Sequence, residues 1–538
     1  MIENSLLLIL AMLFVITMLT MLSSKLRIPY PIFLVIAGLA ISLLPGMPRI
    51  RINPELIFLI FLPPILFSAA WQIPWADFWG MRSSVATLGF GLVFFTALLI
   101  AYLSHVLIPG FDLALGFVLG GIISPPDAVA ATSVLNKLKV PKSVVHLLEG
   151  ESLVNDASSL IVFHFALAAV LTHTFSFWDA TRSFFLVSCM GIVIGLAIAF
   201  IVSIIHKYFP TTPVIDAALT LVAPYVMYLA AENLHFSGVL AVVVGGLFLS
   251  YHAHDTLTYA SRLNLAGIWN TIGFLLNGFI FVLIGLQMPY IISNFTHNTV
   301  KEALYYGLII SAAVIVIRIV WVYTITYLRE KLTPKNTSHY YIPTAKEKFL
   351  IAWCGMRGVV SLAAALSIPF YLTGKTEFPY RNLILFITFV VILITLVVQG
   401  LTITPIIRLL KIEDSNSAIR RKEEEQLKLQ LAQACLQYID SNYAHELKEN
   451  EPFRILRNRY SRMIEVAQSK LHGQTDGAGA TAEDKKQERF QYLLLELVDI
   501  RRGELVSYRI NGDFDEELIK EKEYELDLEE ARLRSNTL

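Results

Sequence analysis

Through its first 410 residues the chain repeats one pattern: a long apolar run, a short polar gap, then another run. A helix crosses the hydrocarbon core of a bilayer with about 20 predominantly apolar residues. The pattern therefore predicts thirteen transmembrane helices, over 5–23, 29–44, 55–71, 83–108, 113–135, 144–171, 183–205, 214–231, 237–250, 268–287, 303–328, 349–372 and 383–410. Beyond 410 the runs stop. There 48 of 128 residues are charged, against 38 of the preceding 410, so the average charged content of 16% conceals a sharp break. The expected architecture is an all-α polytopic membrane domain over 1–410, followed by a helical, water-soluble cytoplasmic domain over 411–538.

Loop charges give the orientation, because basic residues concentrate on the cytoplasmic side. With the N-terminus outside, the inside loops hold thirteen Lys and Arg (Lys25, Arg27, Arg82, Lys137, Lys139, Lys142, Lys207, Arg262, Arg329, Lys331, Lys335, Lys346 and Lys348) and the outside loops six (Arg49, Arg51, Arg182, Lys301, Lys375 and Arg381). An odd number of spans also puts the charged tail in the cytoplasm. The start of the chain does not read as a cleavable signal: it carries Glu3, and Lys25 and Arg27 follow the first apolar run. A cell-membrane, multi-pass protein is expected.

A net charge of zero gives no pull toward nucleic acid, and no such partner is expected. Cys189, Cys354 and Cys435 are scattered without metal spacing. No HExxH, GxSxG or Cys/His pair is present, so an enzyme is not expected. In the tail, helices are expected around 418–439, over 489–510 and after Asp513, with a flexible 472–484 between the first and the others.

The informative residues are polar ones inside the spans, where a charge costs about 2.5–3.5 kcal/mol on insertion scales. In "LLEGESLVNDASSL", Glu149, Ser152 and Asp156 share a helix face, and Glu151 and Asn155 form a neighbouring stripe. Attraction of acids to a helix N-terminus explains Glu149 as readily as a function does. It does not explain Asp156, which has some four apolar turns after it. In "GGIISPPDAVAAT", Pro125 and Pro126 break the fifth span at bilayer depth, where free backbone groups must face protein or a water-filled cavity. Asp127 follows the break and is placed to cap the next half-helix. In "AWCGMRGVVSLAAALSIP", Gly355 and Gly358 flank Arg357 in a second interruption, with snorkelling of Arg357 to the interface as the alternative. Two broken helices in opposite halves point to an inverted-repeat transporter with a midplane site. Arg318, alone in its apolar run, needs an anion, and Glu151 is the candidate; a lipid-facing Arg318 is the alternative. His146, His164 and His235 lack partner spacing, and Pro63–Pro64 have nothing titratable beside them.

Four motifs, "FLPPILF", "SPPDAVAA", "GESLVNDA" and "GMRGVVSLA", in this order and on these spans, resemble the monovalent cation:proton antiporter-1 family, the sodium/proton exchangers. The resemblance covers nearly all of the membrane half. It implies an antiporter fold with a dimerisation half and a six-helix core, two unwound helices crossing near the midplane, and a homodimer. Asp156 is similar to the family's ion-binding, proton-carrying aspartate. Asn155 resembles its helix-stabilising amide, Asp127 the acid after the unwound point, and Ser152 a further cation ligand. Glu151 and Arg318 resemble the family's buried ion pair, and Arg357 the arginine of the second broken helix. One departure is Ser68, where several relatives carry an acid.

These residues imply competition. A carboxylate at membrane depth holds either a proton or a small hard cation, which needs several oxygen ligands. Asp156, Ser152 and carbonyls freed around Pro125–Asp127 would hold transported Na+, with K+ or Li+ as alternatives and no cofactor. With Asn at 155 one carrier acid remains, so one proton is expected per cation. A cation channel is the alternative from another class, although no repeated pore segment or charged ring is visible.

Overall fold

The computed structural model describes residues 2–26, 28–44, 54–136, 138, 140–172, 177–292, 297–332, 343–372, 376–412, 417–473, 482–511 and 516–535. Two compact units divide the chain, Met1–Ser415 and Asn416–Leu538. Both are helical; among the described residues the sole β feature is an isolated bridge between Tyr371 and Glu377.

The first unit opens with α1 (Ile2–Leu26), α2 (Tyr30–Ser42), α3 (Pro54–Gln72) and the short α4 (Trp75–Gly80). Next, α5 (Arg82–Ala86), a π-helical turn over Thr87–Leu92 and α6 (Val93–Leu107) run as one segment. Then come α7 (Leu113–Ile123), α8 (Ala128–Leu135), α9 (Lys142–Thr172), α10 (Phe177–Tyr208), α11 (Pro213–Asn233), α12 (Gly238–Thr256), α13 (Tyr259–Ile292) and α14 (His297–Leu332). The last part holds α15 (Ala345–Trp353), α16 (Val359–Leu366), α17 (Arg381–Ile394), a π-helical turn over Thr395–Gln399 and α18 (Gly400–Leu410).

Nine stretches among the described residues are long and apolar enough to cross a membrane, and two shorter apolar helices lie over Tyr30–Ser42 and Leu59–Gln72. The predicted spans 237–250 and 349–372 fall on helical segments outside that group. Helix ends overrun the predicted ones: 268–287 lies within Tyr259–Ile292, and 303–328 within His297–Leu332. Hydrogen bonding along a helix continues past the apolar stretch that marks the bilayer core. At the twelfth span the prediction overshoots. Helix α16 stops at Leu366, and described residues after it pair with one another, Leu372 N donating to Thr376 O and Phe378 N to Phe370 O.

Of the loop charges weighed above, Arg27, Arg49, Arg51, Lys137, Lys139, Lys335 and Lys375 lie outside the described residues, as does Asp513 in the tail. Arg381, counted as an outside loop charge, instead begins α17 and is buried; its Nε donates to Ile368 O at 2.9 Å and its guanidinium lies over the Phe370 ring. It satisfies carbonyls left open where α16 ends.

Packing brings α7 against both α6 and α9. Gly116 and Gly120 of α7 face the α6 backbone at Ala101 and Ala97, so closely that a methyl group at either site would strike a carbonyl oxygen. Small residues at such contacts let membrane helices approach without a side-chain layer between them.

The second unit contains α19 (Ser417–Asn442), α20 (Glu446–Glu449), α21 (Glu451–Gly473), α22 (Ala482–Asn511) and α23 (Glu516–Ser535). Arg457 of α21 reaches Asp440 of α19 at 2.7 Å, and Arg502 of α22 reaches Asp527 and Glu530 of α23 at 2.6 and 2.8 Å. Helix α21 is an addition to the predicted tail helices, and its apolar stripe of Phe453, Leu456, Tyr460, Ile464 and Ala467 at three- and four-residue spacing was the available signal.

Candidate functional site: two broken helices around a buried carboxylate

The first break runs from Ser124 to Asp127. Pro125 and Pro126 carry no N–H, so α7 cannot continue through them. Asp127 restarts the helix: it caps α8, its Oδ1 accepting from Val129 N at 2.8 Å. The second break, Cys354–Gly358, separates α15 from α16. The two unwound stretches are stitched together. Asp127 N donates to Met356 O at 2.7 Å, and an Arg357 Nη1 hydrogen bond reaches Ser124 O. Arg357 N donates to Thr395 Oγ1 at 3.0 Å, which ties the second break to the π-helical turn after α17. Gly358 lies so close to the Asp127 carboxylate that a Cβ there would occupy its space.

Helix α9 passes alongside. Asn155 Nδ2 donates to Pro126 O at 3.1 Å, and Ser152 Oγ accepts from Ala128 N at 3.4 Å. Both bonds take up backbone groups left free by the break, which accounts for polar side chains at these positions. Asp156, one residue on, is 8% exposed. Its carboxylate accepts no hydrogen bond from a described residue and pairs with no cation among them. Asp127 Oδ2, Asn155 Oδ1 and the Nε and Nη2 of Arg357 are buried and likewise lack a hydrogen-bond partner among the described residues. Arg357 is fully buried, so it does not snorkel.

Arg318 and Glu151 are each 1% exposed and form a forked pair, Nη1 to Oε1 at 2.5 Å and Nη2 to Oε2 at 2.9 Å. The guanidinium also donates to Ile351 O, from Nε at 3.3 Å and from Nη2 at 3.1 Å. That carbonyl belongs to the last turn of α15, where the break has removed its helical partner. The pair thus locks α9, α14 and α15 together. Arg318 does not face lipid.

Asp127, Ser152, Asn155 and Arg357 are therefore joined at one crossing with Asp156 beside them, and Glu151–Arg318 forms a separate brace. Ser68 lies on α3, buried, and accepts a long hydrogen bond from Gln72 at 3.4 Å. Sequence reasoning did not find Thr395 or Gln399. Both are fully buried in the π-helical turn, and neither amide atom of Gln399 has a partner among the described residues. A lone Gln in an otherwise apolar run was the available signal. The pair His206 Nδ1 and Asp216 Oδ1, 2.8 Å apart and buried between α10 and α11, was also not foreseen.

Among the described residues no three His, Cys, Asp or Glu side chains converge to hold a metal ion. The polar oxygens at the crossing come from carboxylate, hydroxyl and amide groups, a donor set suited to a hard cation bound in passing.

The helical unit thus holds two interrupted helices joined at their unwound points, beside a buried carboxylate that pairs with no cation among the described residues. The family model described as "Sodium/hydrogen exchanger, transmembrane" matches residues 9–409, and the chain belongs to that family. It is 36% identical over 380 residues to the sodium, potassium, lithium and rubidium/H+ antiporter of Bacillus subtilis, covering 69% of this chain and 56% of that one. The chain thus spans a little over half the length of that relative. It is 29% identical over 525 residues to the uncharacterized Na+/H+ exchanger YjcE of Escherichia coli, covering 94% and 95%. The fold is that of the sodium proton antiporter MjNhaP1 from Methanocaldococcus jannaschii, with a TM-score of 0.59 at 21% identity, over 75% of this chain and 98% of that one.

Proposed function

We propose that the protein exchanges a monovalent cation, Na+ first, for H+ across the cell membrane by alternating access. Asp156 is the carrier, Ser152 an additional ligand, and Asn155 and Asp127 hold the unwound α7–α8 segment in register. The observation that carries this reading is the state of Asp156: deep, at the crossing of both breaks, and free of hydrogen-bond donors and cations from the described residues. An ionised carboxylate in that setting is costly unless a proton or a cation joins it. The two exclude each other, and each passage of the core carries one or the other. K+ and Li+ are the second reading for the cation, supported by the four cations in the name of the Bacillus relative.

The same reading takes the thirteen segments as crossings with the N-terminus outside and the tail in the cytoplasm, the chain as a homodimer, and the unit beyond 411 as regulatory. The test is dequenching of a pH-sensitive dye in vesicles across a series of Na+, K+ and Li+, comparing wild type with Asp156→Asn. Cation-driven proton movement is expected in the first and none in the second. Exchange surviving in the variant would overturn the assignment, and Na+ flux without proton counter-flow would favour a channel.

A further inference from the structure

One stripe of α9 is polar and half-open along its first half. His146, Glu149 and Ser152 recur at three-residue spacing and are each partly accessible, while Leu147, Leu148, Gly150 and Glu151 between them are buried. Three-residue spacing keeps neighbours on one helix face. The stripe ends at Asp156, whose buried carboxylate lacks a hydrogen-bond donor or cation among the described residues. A face open to lipid is apolar; polar side chains at membrane depth point into protein or into a water-filled path.

The wide end of the stripe is marked by a pair from two elements. His146 Nδ1 lies 2.8 Å from Asp77 Oδ2 of α4, with side chains 22% and 48% exposed. Trp75 and Trp79 of α4 stack on each other with centroids 5.4 Å apart, and Trp79 is exposed. Aromatic side chains of this kind gather at the membrane–water interface. Glu149 lies about 4.5 Å deeper along the helix axis than His146, and Asp156 a further 10 Å or so.

Glu149 differs from its neighbour Glu151 in one respect. The Glu151 carboxylate is held on both oxygens by Arg318. Glu149 has no ion pair and accepts no hydrogen bond from a described residue. Of the charged groups on the elements packed here, Asp77 is committed to His146, and Arg82 of α5 is exposed and donates to Trp79 O.

We propose that Glu149 is a staging carboxylate for the transported cation, on the approach to Asp156 from the side of the membrane where α9 begins, with Ser152 bridging the remaining distance. The proposal rests on the exchange reading above and adds a residue and a direction to it. A carboxylate without a fixed counter-charge raises the local concentration of cations at the neck of the path. It sets capture rather than turnover, since Asp156, and not Glu149, holds the ion during the passage.

The test uses the full chain in right-side-out and everted membrane vesicles, reading initial proton-exchange rates against Na+ concentration added to each face. Glu149→Gln is expected to raise the apparent KM for Na+ three- to tenfold from the face at which α9 begins. From the other face KM should hold within twofold, and so should the saturating rate. Glu149→Asp is expected to restore most of the lost affinity. Should Glu149→Gln fail to insert, Glu149→Ala is read in its place with the same expectation. An unchanged KM, an equal rise from both faces, or a fall in saturating rate with KM unchanged overturns the proposal. Asp156→Asn runs alongside: its loss of exchange together with an indifferent Glu149→Gln would leave the exchange reading standing and remove this one.

Discussion

Glu151 and Asp156 sit on the same helix, both nearly inaccessible, and the difference between them is the company they keep. Glu151 is satisfied on both oxygens by Arg318, which also supplies donors to the stranded carbonyl of Ile351. Removing one partner of a buried pair leaves the other charge uncompensated, at about 3–5 kcal/mol. Arg318→Met or Glu151→Met alone is therefore expected to lower the thermal midpoint of the purified protein sharply and deplete it from the membrane. The double variant should recover much of that loss, because two apolar side chains of similar volume avoid the desolvation penalty. Recovery should stop short of wild type by about 1–3 kcal/mol, the cost of leaving the Ile351 oxygen without a donor. Thermal unfolding in detergent of the two singles and the double forms the complete cycle. A double variant no better than the singles would show that the pair does more than brace α9 to α15.

At the scale of elements, the site is made by what two helices fail to do. The α7–α8 and α15–α16 breaks expose backbone groups, and each break supplies bonding partners for the other, Asp127 N to Met356 O in one direction and Arg357 to Ser124 O in the other. Gly358 makes this closeness possible, since any side chain would enter the space of the Asp127 carboxylate. Gly358→Ala is expected to cut the exchange rate more than tenfold while the protein still inserts, as measured by dye dequenching normalised to protein in the vesicles. Full activity in that variant would mean that the two breaks separate freely. This part of the molecule was readable beforehand because Pro125–Pro126 and the glycines around Arg357 leave few helical options. The π-helical turn holding Thr395 and Gln399 was not readable: threonine and glutamine in an apolar run look the same whether they face lipid-side packing or bond across to another helix. Arg381 misled in the opposite way, since a charge at a predicted helix end reads as a loop residue until the carbonyls it serves come into view.

Over the whole molecule, the division of charge along the chain and the division into compact units fall within a few residues of each other, at 411 and at Ser415. In the second unit exposed ion pairs such as Arg457–Asp440 link the helices, and solvent screening leaves each of them weak. Apolar side chains such as Ile439, Ala467 and Val498 form its small interior. The transport stoichiometry belongs to the first unit alone. Position 155 is an amide whose Nδ2 donates to Pro126 O; it does not titrate, and its Oδ1 can offer the cation only a neutral oxygen. Asp127 is committed through Oδ1 as the α8 cap. On the proposed exchange reading, Asp156 is then the single acid at the crossing that changes partners, and one proton is expected to exchange for one monovalent cation. The expected net charge moved per cycle is zero. Proteoliposomes with a tenfold Na+ gradient and clamped voltage are expected to show proton exchange without a Na+-dependent current, and the exchange rate should not respond to an imposed membrane potential. A current scaling with the gradient would require a second titrating group, and Asp127, with its unpartnered Oδ2, would be the residue to test.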